Sequence, residues 1–140
     1  MKYWLLKTEP ETFSWQMQKA RGAKGEPWSG VRNHQAKLNL MAMKKGDRAF
    51  FYHSGKTREI VGILEVIGGY RADPTDASGK FGLVDVKAVA EFEKPVTLDQ
   101  AKADPKLKDM VLVNFTRLSV QPVDAAAWKH IVKLGKAKAV

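Results

Sequence analysis

Within six positions, Trp28-Ser29-Gly30-Val31-Arg32-Asn33 sets a large π face, a fixed cation and a side-chain amide around a glycine. These are residue types that hold a nucleobase. An aromatic face stacks on any base for about 1–3 kcal/mol, arginine contacts phosphate or stacks, and an asparagine amide pairs with a base edge in both directions. Trp28 can equally be a core residue, with Arg32 and Asn33 doing no more than starting a helix. On the base-binding reading, Trp28→Ala leaves folding intact and removes discrimination between bases. A second candidate is Phe50-Phe51-Tyr52-His53-Ser54. Strand alternation puts Phe51 and His53 on one face and Phe50 and Tyr52 on the other, so His53 and Ser54 can stand as donors at a cavity mouth. The plainer reading of His53 is a structural residue satisfied by a neighbour. Lys7-Thr8-Glu9-Pro10 offers a cation, a hydroxyl and a carboxylate at one strand end, although capping by Thr8 explains that segment too.

Catalytic templates are mostly missing. The chain has no Gly-rich phosphate loop, no His-Glu-x-x-His and no Gly-x-Ser-x-Gly, and His34, His53 and His130 lack ligand spacing, so neither a metal nor a cofactor is expected. An enzyme acting on a nucleotide would have to use His53 and Glu9 as acid and base. With no cysteine there is no disulfide, thiolate zinc site or cysteine nucleophile. Lys and Arg outnumber Asp and Glu by 24 to 15, a formal net charge of +9 that favours polyanionic partners through counterion release. Part of that excess falls between Lys133 and Lys138, which reads as a basic tail. The opening residues reach a charge too soon for a signal peptide or a membrane span, so the expectation is a cytoplasmic protein with no membrane partner.

Several elements must position these groups. Tyr3 to Lys7 reads as a first strand buried on both faces. A helix from Thr8 or Thr12 carries Phe13, Met17 and Ala20, and a second begins at Asn33 with Ala36, Leu40 and Met43 on its inner face. Residues 48–53 and 60–67 form a hairpin around Ser54-Gly55-Lys56-Thr57. Val84, Val86, Ala88, Ala90 and Phe92 alternate with polar residues in a clear strand, which Pro95 ends. Thr97 and Gln100 make a capping box, residues 107–115 fit a helical turn or a strand, residues 118–122 read as a last strand, and Asp124 caps a terminal helix bearing Trp128, Ile131 and Val132. The fold class is α+β: a mostly antiparallel, curved sheet or small barrel with helices at its ends.

Taken together, Trp4-Leu5-Leu6-Lys7-Thr8-Glu9-Pro10, the Trp28 to Asn33 loop, Gly46-Asp47, Tyr52-His53-Ser54, Gly62-Ile63, Asp73-Pro74 and Arg117-Leu118-Ser119-Val120 follow the order of the successive motifs of the EVE domain. The sequence resembles that family over essentially its whole length. The resemblance implies a single EVE domain over residues 1–140 with a PUA-like, barrel-like sheet, related to the YTH readers of methylated adenine and the SRA readers of methylated cytosine. It also implies a non-catalytic role in which a flipped, modified base enters an aromatic pocket. By motif position, Trp28 resembles a cage wall on a loop that includes Val31, while Thr8 and Asn33 resemble edge-reading groups. Tyr52, His53 and Ser54 resemble the pocket rim, and Phe13 and Ser14 match an aromatic and a serine of relatives. Lys7, Arg32 and Arg117 resemble cations that face phosphate or brace the pocket. The expected partner is DNA with modified bases, or alternatively RNA, with any effector supplied by a separate protein.

Overall fold

The first strand is apolar on both faces, and the architecture follows from that. In the computed structural model, which describes residues 1–140, β1 (Tyr3–Thr8) buries Trp4 and Leu6 on one side and Leu5 on the other. A strand of this kind belongs inside a sheet covered on both sides. It pairs in parallel with β3 (Arg48–His53) and antiparallel with β6 (Val120–Val123). The order across the sheet is β2 (Glu26–Pro27), β5 (Gly82–Thr97), β4 (Glu59–Ala72), β3, β1, β6, with β7 (Ala137–Ala139) added against β5. Every pairing except β1 with β3 is antiparallel. No ladder joins β2 to β6, so the seven-stranded sheet stays open at its ends.

Two cores result. On one face Leu5, Phe50, Ile63 and Phe92 pack under Trp128 and Ile131 of α5 (Ala125–Gly135), with α3 (Leu98–Ala103) and α4 (Val111–Asn114) beside it. Trp128 lies flat on Phe50, ring centroids 3.9 Å apart. On the other face Leu6, Phe51, Leu64 and Val86 pack under α1 (Trp15–Ala20), α2 (His34–Ala42) and the Trp28 loop. The candidate site lies on this second face.

The expected caps on α2, α3 and α5 are present: Asn33 accepts from Ala36, Thr97 and Gln100 form the reciprocal box, and Asp124 accepts from Ala127. Several bounds differ from the sequence reading. Ser14, not Thr8 or Thr12, caps α1, so Phe13 stands outside the helix, and the buried face carries Trp15 and Gln18 while Met17 is exposed. Pro95 does not end β5, because it lies where the β4–β5 ladder is interrupted between Glu91 and Val96, and a proline missing its N–H breaks no bond there. Residues 133–138 are no tail: they complete α5 and enter β7, which pairs with residues 90–92. Both β4 and β5 run past their expected ends into a long hairpin that carries Asp73 at its turn.

Gly62 sets how closely α1 approaches the sheet. A Cβ there would lie 2.3 Å from the Trp15 indole, itself buried over β4. Gly62→Ala is therefore expected to destabilise the protein by about 1–3 kcal/mol, the usual penalty of overpacking, as read by urea denaturation.

Candidate nucleic-acid interface

Where β1 ends, the second face opens into a cleft of about 610 Å³, within the usual range of roughly 300–1,000 Å³ for small-molecule sites. Three hydrophobic residues line it, Phe13, Trp28 and Val31. The Trp28 indole is 7% exposed and packed edge-on against Phe51 and Phe13, at 5.6 Å and 6.2 Å between ring centroids. Trp28 thus belongs to the hydrophobic core and to the cleft at once. Removing it altogether would leave a core void worth about 3–5 kcal/mol, so Trp28→Ala is not the fold-neutral probe that the sequence suggested. Trp4 and Trp15 donate their indole N–H groups to Asp47 and Glu91, whereas that of Trp28 has no protein acceptor.

The remaining lining is polar. Lys7 and Thr8 come from the end of β1, Thr12 from the turn after it, and Ser119 from the segment leading into β6. Thr8 donates its hydroxyl to the Phe13 carbonyl at 3.1 Å and so holds the Phe13 turn against the strand. Asn33 also lines the cleft. Its Oδ1 accepts from the Ala36 N–H at 2.9 Å as the cap of α2, which leaves the Nδ2 donors free for a ligand. Lys7 is half-buried, and desolvation lowers its pKa to about 8. Its ammonium donates to the Thr116 carbonyl and lies 5.5 Å from the Tyr52 ring.

A single carboxylate fixes the loop that carries Trp28. Asp73 is 3% exposed and accepts from the Gly30 N–H at 2.9 Å, the Thr75 N–H at 2.8 Å, the Thr75 hydroxyl and the Arg32 guanidinium at 3.1 Å. Burial alone would raise its pKa, but these donors together hold it well below the usual carboxylate range. Gly30 has φ +88°, a left-handed conformation that a glycine adopts without strain, and this turns its N–H toward Asp73. Arg32 also reaches the Val31 carbonyl and the Thr75 hydroxyl, so three of its hydrogen bonds stay within the protein.

Of the residues singled out from sequence, Lys7, Thr8, Phe13, Trp28, Val31, Arg32 and Asn33 meet in this cleft. Ser14, Tyr52, His53, Ser54 and Arg117 do not line it. Ser14 caps α1, and Tyr52 faces the opposite core beside Leu5 and Ile60. His53 accepts at Nε2 from the Trp15 N–H, 3.0 Å away, and so ties β3 to the start of α1. Burial lowers its pKa, against a weaker opposing pull from Glu11. Ser54 donates its backbone N–H to the Thr8 carbonyl. Arg117 is exposed on the segment just before Ser119. Sequence reasoning missed Thr12, Glu26, Ser29 and Ser119 in the lining and Asp73 behind it. Of these Ser29, Asp73 and Ser119 stood in motif blocks already singled out but were given no role, while Thr12 and Glu26 carried no signal.

The order of the sheet and its flanking helices define a PUA-like α+β fold. The fold is shared with the YTH domain of a Zygosaccharomyces rouxii protein solved with N6-methyladenosine RNA, at a TM-score of 0.58 and 16% identity, over 95% of this chain and 85% of that one. The chain belongs to the EVE domain family, whose profile matches residues 2–134. A Rhodopseudomonas palustris protein solved by NMR is 56% identical with a TM-score of 0.92, over 97% of this chain and 94% of that chain. The human THYN1 protein, solved in complex with DNA containing 5-methylcytosine, is 30% identical with a TM-score of 0.89, over 99% of each chain. Rat thymocyte nuclear protein 1 is 33% identical over 168 residues, spanning 97% of this chain and 74% of that protein.

Two outcomes follow from these contacts. Asp73→Asn should destabilise the fold by about 1–3 kcal/mol, because a buried acceptor of four hydrogen bonds becomes part donor, and should speed amide exchange at Gly30. Denaturation and hydrogen exchange measure the two effects. The lowered pKa of His53 means that the unfolded chain binds the proton first as pH falls below the ordinary value of 6.5. Stability contributed by neutral His53 is therefore full above that pH and lost as pH drops through the lowered folded value. Stability curves between pH 7.5 and 5 should show this acid-side loss in the native chain and not in His53→Gln.

Proposed function

We propose that this protein is a non-catalytic reader of DNA that draws one modified base out of the helix and holds it in the cleft against Trp28. The observation that carries the reading is the pairing of a small aromatic wall, Phe13 and Trp28, with unpaired polar groups on a braced loop. Flipping a base loses a few kcal/mol of stacking, and aromatic contact of about 1–3 kcal/mol with hydrogen bonds to the base edge offsets it. A methyl group buried with the base adds about 0.8 kcal/mol, close to fourfold in affinity. Larger discrimination requires a polar group that the wrong base leaves unmatched, and Thr12, Ser119 and the Asn33 amide are the available groups, with the Thr8 hydroxyl open only as an acceptor.

The human THYN1 chain, similar over 99% of its solved residues, was crystallised with DNA containing 5-methylcytosine, which makes that base the first to test. The net charge of +9 suits a phosphate-rich partner. Against a catalytic role, the Nε2 of His53 is already engaged by Trp15, and His53 lies outside the cleft lining. The signal would then pass to a separate effector protein.

Titration of matched duplexes with cytosine, 5-methylcytosine or N6-methyladenine is expected to show at least a fourfold preference for one modified base. Trp28→Phe should reduce that preference while the protein stays folded. Equal and strongly salt-sensitive binding to all three duplexes, or tighter binding to an RNA of the same sequence, would contradict the reading. Lys7 adds a pH test. Its charge is present below about 8, so affinity should fall several-fold between pH 7 and pH 9 and stay flatter in Lys7→Arg.

A further inference from the structure

Phe115 stands apart from the other exposed side chains. It is 65% exposed and is the one aromatic among the large hydrophobic residues that face water. A single exposed apolar side chain is ordinary on a protein surface. Phe115 alone among the exposed ones presents a ring, and the backbone that carries it is fixed. Its N–H donates to the Val111 carbonyl at 2.7 Å, and its own carbonyl accepts from the Leu118 N–H and from the buried Gln121 amide. The preceding Asn114 is tied by its side chain to the Lys108 and Met110 carbonyls. The exposure is therefore a property of an anchored turn and not of a frayed segment.

That turn adjoins the cleft. Lys7, a lining residue, donates its ammonium to the Thr116 carbonyl and its backbone N–H to the Ser119 carbonyl, and Ser119 lines the cleft as well. Arg117, between them, is exposed and makes no ion pair. No acidic residue occurs from 110 to 123, so nothing on this segment repels a phosphate backbone.

Resting on the reading of the cleft given above, we propose that Phe115 is a wedge: as a base leaves the duplex for the cleft, the phenyl ring enters the gap it vacates and Arg117 contacts the adjoining phosphate. Apolar side chains inserted between base steps unstack and kink a duplex, and a ring left in the gap replaces part of the stacking lost on flipping. A single strand has no opposing base and little ordered stacking to replace, so the wedge acts on duplexes only.

The test compares the full chain with Phe115→Ala and Phe115→Leu on two probes, a strand carrying one 5-methylcytosine and the same strand in a duplex, each beside its unmodified counterpart. The proposal expects Phe115→Ala to weaken duplex binding about tenfold, to leave single-strand binding within about twofold, and Phe115→Leu to recover most of the loss. Equal losses on both probes, or no loss on the duplex, would overturn the wedge while leaving the cleft's preference on the single strand intact. Loss of that single-strand preference in the native chain would instead strike the reading of the cleft itself.

Discussion

The carboxylate of Asp73 is almost wholly withdrawn from water, and it keeps its charge because four donors converge on it. Two of those donors, the Gly30 N–H and the Arg32 guanidinium, belong to the loop that carries Trp28. That loop has no regular secondary structure to hold it. It is fixed at three points: the Trp28 N–H on the Val84 carbonyl, Asp73 at its middle, and the Asn33 cap where α2 begins. The cleft is the space left beside this loop. A loop satisfied by its own hydrogen bonds does not have to be ordered when a ligand arrives, and binding loses less entropy for that.

The division of labour between the two sheet faces follows from the same economy. The face covered by α3, α4 and α5 is filled by stacked rings, Tyr3 and Phe50 against Trp128, and leaves no comparable opening. The face covered by α1 and α2 is incomplete where β1 ends, and there Trp28 meets Phe13 and Phe51 edge to face while Phe13 tilts against Phe51. Because Trp28 packs on Phe51 from behind and borders the cleft in front, the hydrophobic core holds one wall of the site in place. Lys7 is half-buried at the same end, where desolvation lowers its hold on the proton and its ammonium also secures the turn bearing Thr116.

Much of this was legible in the residues because the signals were local. The alternation from Val84 to Phe92, the box of Thr97 and Gln100 and the cap at Asn33 each depend on neighbours a few positions apart. The gathering of Lys7, Thr8, Phe13 and the Trp28 loop came from motif order and the cleft geometry agrees with that grouping. What stayed hidden was long-range. Asp73 and Arg32 are separated by 41 positions, and no periodicity announces their pairing. Alternation correctly put Tyr52 opposite Phe51, but it could not say which face would carry the cleft, and that choice sends Tyr52 to the other core. His53 looked like a rim residue because it ends a strand, yet the N–H it satisfies belongs to Trp15, 38 positions away.

The central claim is that a base comes to rest beside the Trp28 indole. Its most direct measurement is the proton–nitrogen NMR spectrum of the four tryptophan indoles during addition of a duplex containing one modified base. The indole N–H of Trp28, which has no acceptor in the protein, should shift strongly and in proportion to occupancy, while those of Trp4 and Trp15, committed to Asp47 and Glu91, should hardly move. Saturable binding with an unmoved Trp28 resonance would place the DNA elsewhere on the protein and contradict the account.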